Sequence, residues 1–473
     1  MARFKTVLRH SSYLFGSKLL TRLLYTVFIV YAAARLGPEL FGVLAFTLAM
    51  VELLSWIGDL GLTRYGAREL ITSAREDRPV LSGQILALQL TSSVILCAAG
   101  LAAILAWSPP EPKMEMLLMG LVAVLFSGVV NATESALVAS QKFFYSALLS
   151  FTGRLIFLGA GFVAISLGAS VVVVMAGFLA GIAVESVLRL LLVSARLAGF
   201  SFRFRPAAVK AMFLASLPFA GAAVASVVYS QAGIVALEIF RDDADVGVYG
   251  VAYNLFIPLV WVSTVLAKAI FPGMTELHRE SMDSARRYFY QWYRLLVMAG
   301  VPIAVAVTFL AGPALAFFPE GYEESAAVLI ILMWSVPFLM ISPNELNILQ
   351  IIGREREAVR SLLTVMVFTV LLQFVLVPFY GVKGAAAAAL GGALVREVQF
   401  YELVRSHFFL GKHFFVLFLR PAAAGAAMAA VALLAWNLMG PWVATAAGGA
   451  AYVATLFISG GVSISEIKGL ARS

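Results

Sequence analysis

Charge is scarce in this chain. Of its 473 residues only 13% are Asp, Glu, Lys or Arg, roughly half the share of an ordinary soluble domain, where about a quarter are charged. Hydrophobic residues make up 62% and the mean hydropathy is +0.94, which excludes a soluble globular fold. Cysteine is nearly absent: Cys97 stands alone inside an apolar run, so an intrachain disulfide is impossible and the redox compartment is not readable. The four histidines, His10, His278, His407 and His413, lie in connecting segments without the paired spacing of metal ligands, so neither a metal centre nor a cofactor is expected. There is no Walker A string, no nucleophile elbow and no large soluble loop carrying a pair of acids. Catalysis by the chain itself is therefore not expected. A net charge of +8 would suggest nucleic acid for a soluble protein; here the placement of the cations gives a different reason, and no nucleic-acid partner is expected.

What the chain does have is long apolar runs. A span needs about 20 residues to cross a hydrocarbon core of ~30 Å. Runs of that kind lie near residues 11–34, 40–62, 81–107, 114–138, 145–168, 170–195, 211–239, 246–271, 289–311, 325–349, 357–378, 383–405, 416–437 and 441–461. The expected fold is an all-α integral membrane protein with about fourteen transmembrane helices. The apolar stretch Leu23–Ala33 is expected to be a retained helix, because the basic region before it is too long and too apolar for a signal peptide.

The connections sort by charge. One alternate set holds Arg64, Arg68, Arg75 and Arg78, then Lys142, then Arg196, Arg203, Arg205 and Lys210, then Arg279, Arg286 and Arg287, then Arg354, Arg356 and Arg360, then Arg405 and Lys412. The other set carries few cations beside Glu39, Glu111, Glu115, Asp242, Asp243, Asp245, Glu320, Glu323 and Glu324. By the positive-inside rule both termini are cytoplasmic and the helix count is even, in a plasma or bacterial inner membrane. The basic loops suit anionic lipid headgroups. Between Gly199 and Lys210, Phe200, Phe202 and Phe204 alternate with Ser201, Arg203 and Arg205, which predicts an amphipathic interfacial strip.

An internal repeat divides the chain. Phe41-Gly42-Val43 opens the second helix and Val246-Gly247-Val248 opens the eighth, about 205 residues on. Glu134 is echoed by Glu345, and Arg189 by Arg396. A six-helix shift keeps orientation, so the repeat is parallel, about an axis along the membrane normal. The expected organisation is an N-lobe over 1–198, a cytoplasmic linker over 199–210, a C-lobe over 211–412, and two peripheral helices with a short tail over 413–473.

Several ionisable residues sit inside spans, where an isolated charge costs at least ~2.5–3.5 kcal/mol. Lys18 and Arg22 are four apart on the first helix, hence on one face; Arg22 is the deeper. The second helix carries Glu52 and Asp59. Together they predict a solvated compartment within the membrane. Arg154 has two readings, an ion pair with Glu134 or contact with a substrate. Glu185 and Arg189 have the spacing of an internal pair. Tyr229, Gln231 and Asn254 are polar groups at mid-depth, able to bind sugar hydroxyls or to bond neighbouring helices. Lys268 lies near a cytoplasmic end, where snorkelling is ordinary.

The turn Arg35-Leu36-Gly37-Pro38-Glu39-Leu40-Phe41-Gly42 has a local purpose: Gly and Pro end one helix and Glu39 favours the start of the next. The same string, followed by Asp59-Leu60-Gly61-Leu62 and Arg68-Glu69, resembles the polysaccharide transporters of the multidrug/oligosaccharidyl-lipid/polysaccharide superfamily. Length, helix count and repeat match that family across essentially the whole chain. The resemblance implies a Wzx-type flippase with two six-helix lobes around a central cavity lined by helices 1, 2, 7 and 8, which would bring Lys268 to the cavity. Its substrate would be a polyprenyl-pyrophosphate-linked oligosaccharide, moved from the inner to the outer leaflet by alternating access, beside other polysaccharide-assembly proteins. Arg22, with Lys18, Arg154 or Lys268, would neutralise the pyrophosphate; Tyr229, Gln231 and Asn254 would bind sugars; Glu52 and Asp59 would serve coupling or gating, or hold Arg22. The alternative is a cation-coupled drug or small-solute antiporter of the same superfamily. A membrane glycosyltransferase or polymerase is disfavoured for want of an extramembrane catalytic loop.

Overall fold

The computed structural model of the chain describes the backbone of residues 2–197, 199–201, 203, 206–408 and 411–460. Side chains are described for the same residues except 2–22, 269, 344, 346, 406–408 and 411–416. Among the described residues there are fourteen helices and no strand. In chain order they are α1 (Ala2–Asp59), α2 (Leu62–Thr72), α3 (Arg78–Trp107), α4 (Lys113–Ala139), α5 (Phe143–Ser166), α6 (Val171–Arg196) and α7 (Pro206–Phe240), then α8 (Asp243–Glu280), α9 (Met282–Leu315), α10 (Glu323–Met333), α11 (Val336–Leu339), α12 (Ser342–Ile351), α13 (Glu355–Phe408) and α14 (Gly411–Ile458).

Ten of these helices are long and apolar enough to cross a membrane. Three of the ten are double. α1 breaks at Gly37 (φ 76°), α13 at Gly381 (φ 54°) and α14 at Gly440 (φ 75°). Left-handed backbone of this kind costs glycine nothing and other residues dearly, so each break falls where the sequence supplies one. Pro38 and Pro441 follow two of them directly and cannot donate to the helix they interrupt. The breaks separate the apolar runs of the sequence into paired rods.

The run near 325–349, expected as one helix, is instead three pieces, α10, α11 and α12. Pro337 and Pro343 each sit at the start of a new piece, where a missing N–H is harmless; inside a continuous helix it would leave a carbonyl unpaired. With this broken segment counted once and the short α2 left out, the rods among the described residues number fourteen. The basic connection after Asp59 also differs from a plain loop. It folds as α2, which buries Leu62, Gly66, Ala67 and Leu70 and exposes Arg64 and Arg68.

The chain forms two compact units, residues 1–250 and 251–473. In the first, α5 and α6 form the tightest hairpin, α4 packs on α3 and α6, and α1 packs on α4, α5 and α7. The connection after α6 lies against the start of α3: Ser201 N donates to Pro79 O at 2.8 Å, and Gln84 Nε2 to Arg203 O at 3.3 Å. Phe202, Phe204 and Arg205 of the expected interfacial strip lie outside the described residues. In the second unit α9 packs on α10, α11 and α14, and α13 on α10 and α12. At the first residue of α10, Glu323 accepts the Gly321 N–H at 3.0 Å, a bond to the charged form that holds its carboxyl below the ordinary range.

The repeat is visible as chemistry within each unit. Arg189 Nη1 pairs with Glu134 at 2.6 Å in the first. In the second, the corresponding Arg396 Nε lies 3.8 Å from Glu345.

Candidate functional site

The second rod of α1 is mostly buried over residues 41–51 and opens over residues 52–57, where no residue is fully buried. From Phe41 to Asp59 only Glu52 and Trp56 are exposed. They are four apart and share one face. A lipid-facing helix shows a stripe of apolar residues, as α3 does with Val94, Ile95, Leu101 and Leu105. Here the stripe carries a carboxylate, which acyl chains would not solvate. Its neighbour on α7 is polar too: Gln231 Nε2 donates to Glu52 Oε2 at 2.9 Å. Glu52 of α1 and Gln231 of α7 are thus brought together within the first unit.

At the end of this rod the backbone turns through Leu60 (φ 49°) and Gly61 (φ 71°) into α2. Asp59, 3% exposed, holds the turn. It accepts Thr63 N at 3.1 Å, the Thr63 hydroxyl, and Gln89 Nε2 at 2.7 Å. Ser92 Oγ donates to Gly58 O at 2.6 Å, and Asn131 Nδ2 to Ser55 O at 3.4 Å. Residues of α3 and α4 therefore fix the depth and rotation at which Glu52 and Trp56 are presented.

The opposite end of the same rod is pinned twice. Gly42 and Gly247 let α1 and α8 approach backbone to backbone. Beside them Lys113, 6% exposed, donates to Glu238 and, at 2.6 Å, to Asp243 Oδ1. Its ammonium also sits 5.0 Å from the ring centroid of Trp107 and 5.4 Å from that of Phe46, an arrangement that favours a desolvated cation. One lysine thus joins α1, α3, α4, α7 and α8.

The remaining sequence-based candidates are dispersed. Arg22 and Lys18 have side chains outside the described residues. Arg154 lies with its guanidinium carbon 5.2 Å from the Tyr25 ring centroid, whereas Glu134 is taken by Arg189. That arginine is 2% exposed and binds Glu185 at 2.9 Å and Ser150 at 2.7 Å as well, so the group is a satisfied interior network. Tyr229 is half-buried, two residues before Gln231 on α7. Asn254 and Lys268 belong to the second unit, half-buried and exposed respectively.

Sequence reasoning did not single out Trp56, Gln89, Glu238 or the buried carboxyl Glu397, which accepts the Tyr293 hydroxyl. It also gave Lys113 no role. Lys113 did carry a signal, as a lone cation in an acidic connection six residues after Trp107. The others needed the fold. No cluster of three or more potential metal ligands occurs among the described residues.

The model of polysaccharide biosynthesis proteins matches residues 7–278, more than half of the chain. The chain belongs to this family. No curated protein matches it. Among solved structures, the family member is similar to the lipid II flippase MurJ in an inward closed conformation, with 16% identity over 94% of this chain and 98% of that one and a TM-score of 0.78. It is also similar to an inward-facing multidrug resistance MATE transporter, with 15% identity over 82% and 94% and a TM-score of 0.59. A third likeness is to a variant of the Vibrio cholerae MATE transporter VcmN, with 15% identity over 86% and 100% and a TM-score of 0.57. At such identities the likeness is one of fold: this polysaccharide biosynthesis protein has the multi-pass helical fold of the multidrug/oligosaccharidyl-lipid/polysaccharide superfamily.

Proposed function

We propose that this protein is a flippase that moves a polyprenyl-pyrophosphate-linked oligosaccharide from the inner to the outer leaflet. The observation that carries the reading is Glu52, an exposed carboxylate within an apolar rod, bonded by Gln231 of α7. A sugar headgroup cannot cross hydrocarbon, since each unpaired hydroxyl costs several kcal/mol. A polar wall exchanges those hydroxyls' water bonds for protein bonds while the polyprenyl tail stays in lipid. Membership of a polysaccharide biosynthesis family supports the substrate class. The fold shared with a lipid II flippase, whose substrate is also a lipid, supports the mode.

On this reading Arg22, Lys18, Arg154 and Lys268 meet the pyrophosphate, and Tyr229, Gln231 and Asn254 meet sugars. Glu52 and Asp59 couple or gate. The two six-helix halves, residues 1–198 and 211–412, alternate access between the leaflets, with the basic loops and both termini in the cytoplasm. The chain performs no catalysis. In cells lacking it, lipid-linked oligosaccharide should accumulate in the inner leaflet and surface glycan should fall. Normal surface glycan in such cells, with no other flippase present, would refute the reading.

A second reading, a cation-coupled antiporter for drugs or small solutes, is favoured by one observation: the exposed mid-span group that is described is a carboxylate, which suits a cationic substrate. It predicts export of an organic cation, such as ethidium, that stops in Glu52→Gln.

A further inference from the structure

Lys113 is fastened to two sets of neighbours, and the sets come from different parts of the chain. Its ammonium lies 5.4 Å from the Phe46 ring centroid and 5.0 Å from that of Trp107, on α1 and α3. Its hydrogen bonds go to Glu238 near the end of α7 and, at 2.6 Å, to Asp243 at the start of α8. The lysine and both rings belong to the proposed half at residues 1–198, and both acids to the half at residues 211–412. All five residues nevertheless fall in one compact unit, residues 1–250, which takes in α7 and the first residues of α8. Within it α7 packs on α1, α2 and α3. The leading helix of the second half is docked on the first.

Arg189, the other buried cation with two carboxylate partners, ties helices of one half only and sits in a satisfied network with Glu134, Glu185 and Ser150. The Lys113 group is built otherwise. Two carboxyls face one ammonium, and Glu238 Oε2 is buried with no hydrogen-bond partner. Each side can also part intact. If α7 and α8 move away, Lys113 keeps its two rings, a setting that suits a cation. The acids flank a short turn whose Arg241 and Asp242 are exposed, so water reaches them once the lysine is gone. The Gly42–Gly247 crossing beside them lets α1 and α8 come close enough for the bonds to form.

We propose that Lys113, Glu238 and Asp243 form an ionic latch that holds α7 and the start of α8 on the first half and opens in each transport cycle. It rests on the alternating access of the two halves, which the flippase and antiporter readings share. Opening hydrates all three charges and so returns part of the desolvation cost that closing imposed. A latch of charges closes firmly and still releases.

Spin labels read the docking directly. Cysteines replace Ser108 and Ile239, both exposed and outside the latch, in a Cys97→Ala background, and pulsed dipolar spectroscopy on the purified protein measures the distance between them. The background protein, with the latch intact, should show mainly a short distance. Asp243→Asn weakens the latch without stranding the lysine, since Glu238 remains. It should raise the longer-distance fraction roughly ten-fold, the scale of one hydrogen bond to a charged group. Glu238→Gln together with Asp243→Asn should raise it further, because Lys113 then finds polar partners only in the open form, in water. A group that merely braces the fold would lower the melting temperature of these variants and leave the distances unchanged; that result would overturn the latch, as would a long distance already prevailing with the latch intact. The measurement needs no substrate. Unchanged distances would remove the latch and leave the flippase reading standing, whereas a latch that opens in a protein that flips no glycolipid would stand without that reading.

Discussion

Gly42 and Gly247 occupy each other's missing side chains. A Cβ on Gly42 would fall 1.7 Å from the carbonyl oxygen of Asp243, and one on Gly247 would fall 2.0 Å from that of Pro38. Asp243 precedes Gly247 by four residues and Pro38 precedes Gly42 by four, so the contact maps onto itself under the internal repeat. Small residues let membrane helices approach this closely where the hydrophobic effect gives no help.

Because both glycines serve one crossing, Gly42→Ala and Gly247→Ala should each destabilise the protein by about 1–3 kcal/mol through overpacking. The double variant should cost clearly less than the sum, since helices already forced apart make room for the second methyl. Thermal unfolding in detergent, followed by helix content, measures all three. Additive losses would show that the two positions do not share a contact.

Lys113 makes a stronger demand. Removing it leaves Glu238 and Asp243 facing each other in a dry setting, and a broken buried pair costs about 3–5 kcal/mol. Lys113→Met should therefore express poorly or melt early. Lys113→Met with Glu238→Gln should recover much of the loss, because the stranded carboxylate is gone. A double variant no better than the single one would mean that the lysine's packing on Phe46 and Trp107, not its charge, is what counts.

Much of this was legible in the sequence, for reasons that differ by residue. Helix number and repeat follow from apolar run length and loop charge, which are local properties. The kinks at Gly37, Gly381 and Gly440 follow from backbone freedom, also local. The break of the tenth span into α10–α12 was signalled by Pro337 and Pro343 but masked by the apolar residues around them. The partners of deep charges were not legible, because a helix face is read from spacing but its neighbour is not. Glu134 could not be assigned to Arg189 rather than Arg154 without the fold.

The orientation proposed from loop charge is open to direct labelling. In a Cys97→Ala background, single cysteines at Ser108 and Glu320 should react with an impermeant thiol reagent added to intact cells, while those at Ser73 and Ser281 should react only after lysis. The opposite pattern would invert the membrane topology.

Arg22 separates two roles for the deep cations. As a pyrophosphate ligand, Arg22→Ala should insert normally and lose transport, and Arg22→Lys should keep part of it, the charge surviving without the bidentate fork. As a structural partner of Glu52, Arg22→Ala should instead be partly rescued by Glu52→Gln. Surface glycan at matched protein levels reads both. Full activity in Arg22→Ala would exclude both roles.

The central claim is translocation without chemistry, and reconstitution tests it most directly. Purified protein in liposomes, given host-derived lipid-linked oligosaccharide on one face, should bring the glycan within reach of an impermeant glycosidase on the other, with the mass of the glycolipid unchanged before digestion. Glycan that stays on its original face, or that is lengthened or cleaved by the protein alone, would contradict the account.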